Sequence, residues 1–217
     1  MNLSEKTVER LLLCRRELLK YRFIDKPHIF SNDLARILNI KPEQLRQDFL
    51  TAGVSAGSNR NGYDVNLLIE EIEEKVALKQ MKKVAFIGDA SLVDVYKNFI
   101  DSGLIEFQIT AIFSFNPENK SLHNIPCFTF DKMTEIIPKL NIEIVIVAAC
   151  AELVKDIVDS LSLCNIKGII NLSSENILPG KEMVVENFDL LSAIEKVNFR
   201  LNFNEELKKF KSKAKKL

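Results

Sequence analysis

The sequence predicts an α/β protein in which an N-terminal winged helix-turn-helix precedes a Rossmann-like parallel sheet with helices on both faces. Three observations predict this class. Apolar residues recur at helical spacing in the first 50 residues, a Gly-, Ser- and Asn-rich stretch follows, and four apolar runs then alternate with helical segments. The expected domains are a winged helix at 1–80, a Rossmann-like domain at 81–186, and a long C-terminal helix with a basic tail at 187–217.

The composition is that of an ordinary globular protein. Hydrophobic residues make up 47% and charged residues 28% of the 217 residues. No apolar run approaches the roughly 20 residues that a membrane helix needs, so no membrane association is expected. Residues 1–20 mix acids and bases without an apolar core, which argues against a signal peptide. We therefore expect a cytoplasmic location.

Charge is distributed unevenly along the chain. Residues 1–62 carry 11 Lys and Arg against 7 Asp and Glu, whereas residues 81–206 carry 11 against 18. Residues 207–217 add six Lys and no acid. A basic first module joined to an acidic body suggests that only the first module contacts an anionic polymer.

The sequence of the first module predicts three successive helices. A helical apolar pattern begins after Ser4, Ser31 is a good N-cap for a second helix, and Pro42 suits the first turn of a third helix over 43–50. Two short helices joined by a tight turn form a helix-turn-helix. Residues 52–65 then favour a small β-hairpin, the wing, and the acidic stretch 66–79 is interpreted as a connecting helix.

The second module alternates strands with helices. The predicted strands are Val84 to Ile87, Ile109 to Phe113, Ile144 to Ala149 and Ile169 to Leu172. The predicted helices are Ser91 to Ser102, Asp131 to Leu140, Ala151 to Leu163 and a final long helix, Asn187 to Phe210. Such a sheet places its ligand crevice at the carboxyl ends of the strands, where Gly88, Ser114, Cys150 and Ser173 fall.

The run from Val84 to Tyr96 opens as a dinucleotide-binding unit does, with a strand, a glycine turn and a helix. A G-x-G-x-x-G fingerprint would need glycines at 88, 90 and 93, and the chain has Gly88, Ala90 and Val93. The Cβ of Ala90 would crowd a pyrophosphate, and the β-branched Val93 stands where close helix packing favours Gly. We expect a Rossmann-type unit that has lost or changed its ligand.

The order of parts resembles the Rex family of redox-sensing transcriptional repressors over nearly the whole chain. The resemblance depends on several short phrases in a fixed order. They are Thr7 to Leu11 with Arg16, Ser31 to Ala35, Gln44 to Asp48, Gly62 to Val65, Asn141 to Ile144, Ile166 to Ile169, Asn171, and Asn187 to Leu190.

The resemblance implies a homodimer with exchanged C-terminal helices, bound to a palindromic operator in double-stranded DNA and released when NADH binds. The implied DNA-binding residues are Ser31, Gln44, Arg46, Gln47, Ser58 and Arg60. Arg46 can contact a guanine with two hydrogen bonds or hold phosphate, and Gln47 can read adenine. Gln47 replaces a family Lys and the wing keeps one cation, so weaker and less salt-dependent binding is expected.

The implied nucleotide-binding positions are Gly88, Asp89, Ala90, Ser91, Leu92, Val93, Ser114 and Cys150. Ser114 stands where the family has the acid that holds the adenine ribose. With Ala90, Val93 and the negative Asp89, this change argues against NAD(H) binding in the usual way. The implied switch and interface residues are Arg16, Tyr63 and Asp189. In the family the Arg at position 16 pairs with an acid or with the tyrosine, and here Ser114 stands at the position of that acid. Coupling between nucleotide and DNA is therefore expected to be weak or absent.

Other interpretations stay open. Cys150 faces the crevice, so oxidation of its thiol could provide a signal, although a buried apolar cysteine is the commoner case. A Rossmann-like module could also belong to an oxidoreductase or a nucleotide- or CoA-binding protein, and the chain could be a scaffold that binds DNA constitutively. No general base with a positioned partner is visible, His123 fits a surface loop, and no metal-ligand spacing occurs, so we expect neither catalysis nor a metal site.

Overall fold

The structure is a computed structural model that describes residues 3–22, 27–55, 57–58, 62–77, 82–90, 92–93, 107–115, 121–180 and 183–214. The side chains of residues 22, 58 and 205–214 are not among those described. The described residues up to 77 belong to one compact unit, and those from 82 onward belong to a second.

The first unit is a winged helix. Its elements in chain order are α1 (Glu5–Arg22), β1 (His28–Ile29), α2 (Ser31–Ile37), α3 (Pro42–Ala52), β2 (Gly57–Ser58), β3 (Gly62–Asp64) and α4 (Val65–Lys75). The strands form an antiparallel sheet in the order β1-β3-β2, which confirms the predicted hairpin, although residues 59–61 lie outside the described ranges. Pro42 occupies the first turn of α3 as predicted. A buried apolar cluster that includes Leu11, Leu34, Phe49 and Leu68 unites the four helices.

A partly buried ion pair fixes α3 against α1. Arg10 donates from Nε and Nη2 to the two carboxylate oxygens of Asp48, at 2.5 and 2.7 Å. The Asp48 side chain is only 3% exposed, so the carboxylate depends on this bidentate partner for its solvation. The pair therefore sets the position of α3, the helix expected to contact DNA.

The second unit contains a seven-stranded sheet. Its strands are β4 (Lys82–Gly88), β5 (Phe107–Ser114), β6 (Ser121–Leu122), β7 (Ile125–Thr129), β8 (Ile144–Ala148), β9 (Gly168–Asn171) and β10 (Val184–Asn187). Their spatial order is β10-β9-β8-β4-β5-β7-β6, and only the β6–β7 pair is antiparallel. The four predicted strands are confirmed as β4, β5, β8 and β9. The chain leaves β4 toward β5 and later returns to its other side at β8, so β4 borders the switch point where doubly wound sheets hold ligands.

The described helices of this unit are α5 (Met133–Leu140), α6 (Ala151–Ser162) and α7 (Leu190–Ala214). A 3₁₀ turn over Phe130–Lys132 precedes α5. Of the helix predicted at 91–102, only Leu92 and Val93 lie within the described ranges, and both are helical. Among the described residues, no helix is long and apolar enough to cross a membrane.

Two sheet elements of the second unit were missed by the sequence analysis. The hairpin β6–β7 turns at His123 and Asn124, which have φ values of 50° and 65°. The strand β10 pairs in parallel with β9, so the prediction that a helix begins at Asn187 was wrong. Asn187 instead ends β10, where its amide hydrogen-bonds both the N–H and the carbonyl of Ile177 at 2.9 and 3.0 Å.

One phrase of the family resemblance proves to be structural. Asn141 closes α5 with a left-handed φ of 55°, and Glu143 accepts hydrogen bonds from Lys82 and Lys167. These two contacts, the one from Lys167 first, lower the pKa of Glu143 to about 2. All three charged residues stand at the amino ends of β8, β4 and β9, opposite the edge where a ligand would bind.

Candidate nucleic-acid interface and nucleotide crevice

The outward face of α3 is the candidate nucleic-acid interface. The helix buries four side chains against the rest of its unit, namely Leu45, Asp48, Phe49 and Ala52. The opposite face is exposed and carries Glu43, Arg46, Gln47, Leu50 and Thr51. An exposed third helix with a cation and amides on its free face has the form of a recognition helix.

Arg46 is held in place by three neighbours. Its Nη1 donates to Ser31 Oγ at 3.1 Å and to Asn32 Oδ1 at 3.4 Å, and its Nη2 donates to Glu43 Oε1 at 3.0 Å. The guanidinium is thus oriented from the start of α2 and from α3 itself while it stays accessible. The expectation that Ser31 caps α2 was wrong, because Phe30 is the N-cap residue and makes no side-chain cap, which leaves the Ser31 hydroxyl to accept from Arg46.

The two glutamines of α3 differ in their surroundings. Gln44 donates from Nε2 to Asp48 Oδ1 at 3.0 Å, so its amide supports the Arg10–Asp48 ion pair. Gln47 is exposed and lies 3.4 Å from the Thr51 hydroxyl, which in turn donates to the Gln47 carbonyl at 2.8 Å. Both glutamines are exposed, but the Gln44 amide is engaged by Asp48, whereas Gln47 presents its amide on the outward face.

Tyr63 connects the wing to α3. Its ring packs edge-on against Phe49 with centroids 5.2 Å apart, and a Cβ on Gly57 would lie 2.4 Å from the same ring. Gly57 is therefore required by the packing of Tyr63. Burial is the main cause of the raised Tyr63 pKa, with Arg46 opposing it. Of the two predicted wing contacts, Ser58 has a described backbone only, and Arg60 lies outside the described residues.

Two of the expected switch residues, Arg16 and Asp189, have different environments. Arg16 is exposed on α1, and within the described parts of the chain no hydrogen bond joins it to Tyr63. Asp189 precedes α7 and accepts a hydrogen bond from the Ser192 N–H at 2.9 Å, as an N-cap residue does. Hydrogen bonds from the Ser192 hydroxyl and N–H lower the Asp189 pKa.

Gly88 ends β4 with a φ of 147°, in a region that side chains rarely adopt. A Cβ at this position would lie 2.1 Å from the carbonyl oxygen of Ala148, its register partner in β8. The close approach of β8 alone therefore requires glycine here. The presence of the first fingerprint glycine consequently says nothing about a nucleotide.

Among the described residues of the fingerprint loop, the third glycine position is occupied by a buried side chain. Val93 is fully buried, so a valine occupies the position where a third glycine would allow close packing. The N–H groups of Leu92 and Val93 donate to the carbonyls of Asp89 and Ala90 at 3.1 and 3.0 Å. Two amides of the loop are thus already bonded within it, Asp89 adds an exposed acid, and Ser91 lies outside the described residues.

At the next strand end, Ser114 is 8% exposed and pairs in register with Thr129 of β7. It is followed by Phe115, which is 58% exposed and packs edge-on against Phe130 with centroids 4.5 Å apart. The carboxyl edge of β5 therefore presents a hydroxyl and an aromatic pair in place of a carboxylate. Sequence reasoning missed this pair because Phe130 follows the unpredicted strand β7.

Cys150 is exposed, so it is not the buried apolar cysteine that is the commoner case. It is the N-cap residue of α6. The Glu152 pKa is lowered, first by a hydrogen bond from its own backbone N–H and then by one from the Cys150 thiol. Cys14 and Cys164 are buried, and burial raises the pKa of both thiols.

Thiol labelling checks this assignment. We expect a maleimide to modify Cys150 rapidly in the native protein and Cys14 only after unfolding, because Cys14 is both inaccessible and hard to ionise. Mass spectrometry of labelled peptides gives the readout, and Cys150→Ser serves as the matched control. Native protein in which Cys150 is spared while Cys14 reacts would contradict the structure of this edge.

The fold and these two surfaces define a winged-helix protein with a Rossmann-like second unit. The family model described as CoA binding domain matches residues 79–175. The redox-sensing transcriptional repressor Rex of Brevibacillus brevis is 28% identical over 201 residues, which cover 92% of this chain and 97% of the relative. That of Bacteroides fragilis is 29% identical over 207 residues, with 93% and 92% coverage.

Solved structures agree in fold. RSP, a Rex-family repressor, has a TM-score of 0.78 at 23% identity and covers 96% of this chain and 99% of its own. RSP in complex with β-NAD⁺ and operator DNA has a TM-score of 0.81, with 98% of both chains covered. With the order of motifs and the winged helix described above, the chain is similar over nearly its whole length to redox-sensing transcriptional repressors of the Rex family, and it shares the fold of a Rex-family repressor.

Proposed function

We propose that this protein is a dimeric transcriptional repressor that binds a palindromic operator through α3 and has lost, or changed, the nucleotide response of its family. The observation that carries the proposal is Arg46, held by Ser31, Asn32 and Glu43 on the outward face of α3. A guanidinium fixed in one orientation suits two hydrogen bonds to the O6 and N7 of a guanine in the major groove.

The support around Arg46 adds to this argument. The partly buried Arg10–Asp48 ion pair sets where α3 lies, and Tyr63 ties the same helix to the wing. Binding to base edges requires that a side chain be placed within a fraction of an ångström before the DNA arrives. A single winged helix would read one half-site, so a palindrome requires two copies of the chain.

The helix α7 supplies the surface for dimer formation. Its residues Leu190, Ile194, Val197 and Leu201 recur at helical spacing, and each is more than half exposed. Phe199 and Phe203 stack on another part of the helix with centroids 6.0 Å apart and are also exposed. A helix with this much exposed apolar surface needs a cover, and a second copy that exchanges its α7 provides one.

Substituting the apolar stripe tests this arrangement. The double variant Ile194→Glu and Val197→Glu is expected to convert the dimer into a monomer at micromolar concentration, since it places two buried charges in the interface. Sedimentation velocity measures the change. Leu163→Glu, at a leucine that is 78% exposed after α6, is the control and should stay dimeric. A double variant that remains a dimer would exclude α7 as the interface.

The crevice supports a changed or lost nucleotide response. Gly88 is explained by its contact with Ala148, Val93 is buried, and Ser114 replaces the acid that would hold the ribose. RSP has been solved with β-NADH; among the described residues here, a buried valine stands at the third fingerprint position and a serine at the end of β5. From these differences we expect that NADH does not release the protein from its operator.

Selection of duplexes from a random library tests operator binding. We expect the protein to enrich a palindrome and, in fluorescence-anisotropy titrations, to bind it at least about 10³-fold more tightly than random duplex at moderate salt. The two half-sites should be separated by a spacing that two α3 helices of one dimer can reach. Enrichment of no sequence above random duplex would overturn the proposed function.

A further inference from the structure

We propose that Leu50 determines operator specificity by packing against the methyl group of a thymine in the major groove. This inference rests on the proposed function, since it assumes that α3 enters the groove. It adds an apolar contact to the polar contacts expected of Arg46 and Gln47. It also names the base that this contact selects.

The helical positions of α3 place Leu50 at the centre of its free face. Successive residues of an α-helix are rotated by about 100°, so the buried side chains Leu45, Asp48, Phe49 and Ala52 define one face. Leu50 lies on the opposite face, between the directions of Arg46 and Gln47 and one turn further along the helix. Its side chain is 73% exposed, and it does not belong to the apolar core cluster of its unit.

Single exposed leucines are common, so exposure alone does not indicate a contact with DNA. The position of Leu50 is what matters, because the residues around it on this face are polar or charged. A leucine packed against the polar edge of a base would displace water from that edge and could not form the hydrogen bonds that the water made. The thymine C5-methyl is the apolar group that the major groove offers, and it is therefore the partner that suits Leu50.

The neighbouring Arg46 restricts where this thymine can be. Residues 46 and 50 are four apart on the helix, which separates them by about 6 Å along its axis. Base pairs rise by about 3.4 Å, so the two side chains reach positions about two base-pair steps apart. The thymine read by Leu50 is therefore expected close to the guanine read by Arg46 within each half-site.

Uracil substitution tests the contact, because it removes only the C5-methyl. Each thymine of the selected operator is replaced in turn by deoxyuridine, and affinities are measured for the unsubstituted protein, Leu50→Ala and Leu67→Ala. Leu67 is a 47% exposed leucine on α4 and serves as the matched control. For the unsubstituted protein we expect one thymine per half-site at which uracil lowers affinity about fourfold, or about 15-fold when both half-sites are changed.

The variants separate the possible outcomes. Leu50→Ala should bind the thymine and uracil operators equally, should keep its affinity for random duplex, and should fold as judged by its melting curve, while Leu67→Ala should discriminate as the unsubstituted protein does. Operator binding with no uracil-sensitive thymine, or sensitivity that persists in Leu50→Ala, would overturn the role of Leu50 and leave the proposed function intact. Failure of the unsubstituted protein to prefer any sequence would overturn both.

Discussion

Replacing Arg46 with Ala is expected to weaken operator binding by roughly 30-fold to 10⁴-fold. The estimate assumes that one bidentate contact to guanine is worth about 1–3 kcal/mol and that a dimer makes two of them. The loss should fall on the operator far more than on random duplex, because Arg46 is fixed by Ser31 and Glu43 in a direction suited to a base edge. Anisotropy titrations against both duplexes measure the difference.

Two further variants separate the hydrogen bonds of Arg46 from its charge. Arg46→Lys keeps the charge but loses the planar fork, so we expect it to retain affinity for random duplex and lose specificity. Arg36→Ala removes an equally charged residue of α2 that is 79% exposed and pairs with Asp33, and it should leave the specificity ratio unchanged. Equal losses on operator and random duplex with Arg46→Ala would mean that Arg46 contacts phosphate.

Replacing Gly88 with Ala is expected to destabilise the second unit by about 2–6 kcal/mol. The backbone conformation contributes about 1–3 kcal/mol of strain, and overpacking against β8 contributes a similar amount. A new Cβ would lie 2.1 Å from the Ala148 carbonyl oxygen, which is part of the sheet and cannot move freely. Losses of this size are a large fraction of a typical unfolding free energy.

Gly180→Ala is the matched control for Gly88→Ala, since no atom lies within 4 Å of a Cβ built at Gly180. Its effect should stay within about 0.5 kcal/mol, as for other surface substitutions. Urea titration followed by circular dichroism gives both values. If the Gly88→Ala protein is as stable as the Gly180→Ala protein, the contact with Ala148 does not require glycine at position 88. Nucleotide binding would then be the alternative reason for that glycine.

Much of the fold could be predicted because its signals are local. The four predicted strands of the second unit are mainly apolar runs. The start of α3 is likewise marked by a single residue, because proline favours the first turn of a helix. The strand β10 could not be predicted in this way. It is short and mostly exposed, and its pairing with β9 is decided by contacts distant in sequence, including those of Asn187 with Ile177.

The candidate site was predicted by residue type but not by arrangement. The sequence gives no sign that the Ser31 hydroxyl accepts from Arg46, because the same serine also satisfies the rule for an N-cap. It likewise cannot show that Gln44 supports the Arg10–Asp48 pair, since those residues meet only in the folded unit. Leu50 was assigned to a helix without a role, because its direction depends on which face of α3 is buried.

The positions compared with the nucleotide fingerprint have different structural causes. Gly88 matches the nucleotide fingerprint, yet its contact with Ala148 explains it without a ligand. Val93 departs from the fingerprint, and the structure accommodates it as a fully buried core residue. Similarity in the order of motifs therefore points to the Rex family, whereas the nucleotide response is expected to depend on the few positions that differ.

The most direct test of this account is the affinity for the selected operator measured with and without saturating NADH. We expect tight binding that changes by less than about twofold, which corresponds to a coupling free energy below about 0.4 kcal/mol. Calorimetric titration of the same protein establishes whether NADH binds at all. A loss of operator affinity of tenfold or more on addition of NADH would contradict the account, because the loop around Ala90 and Val93 would then still hold the nucleotide and transmit its signal.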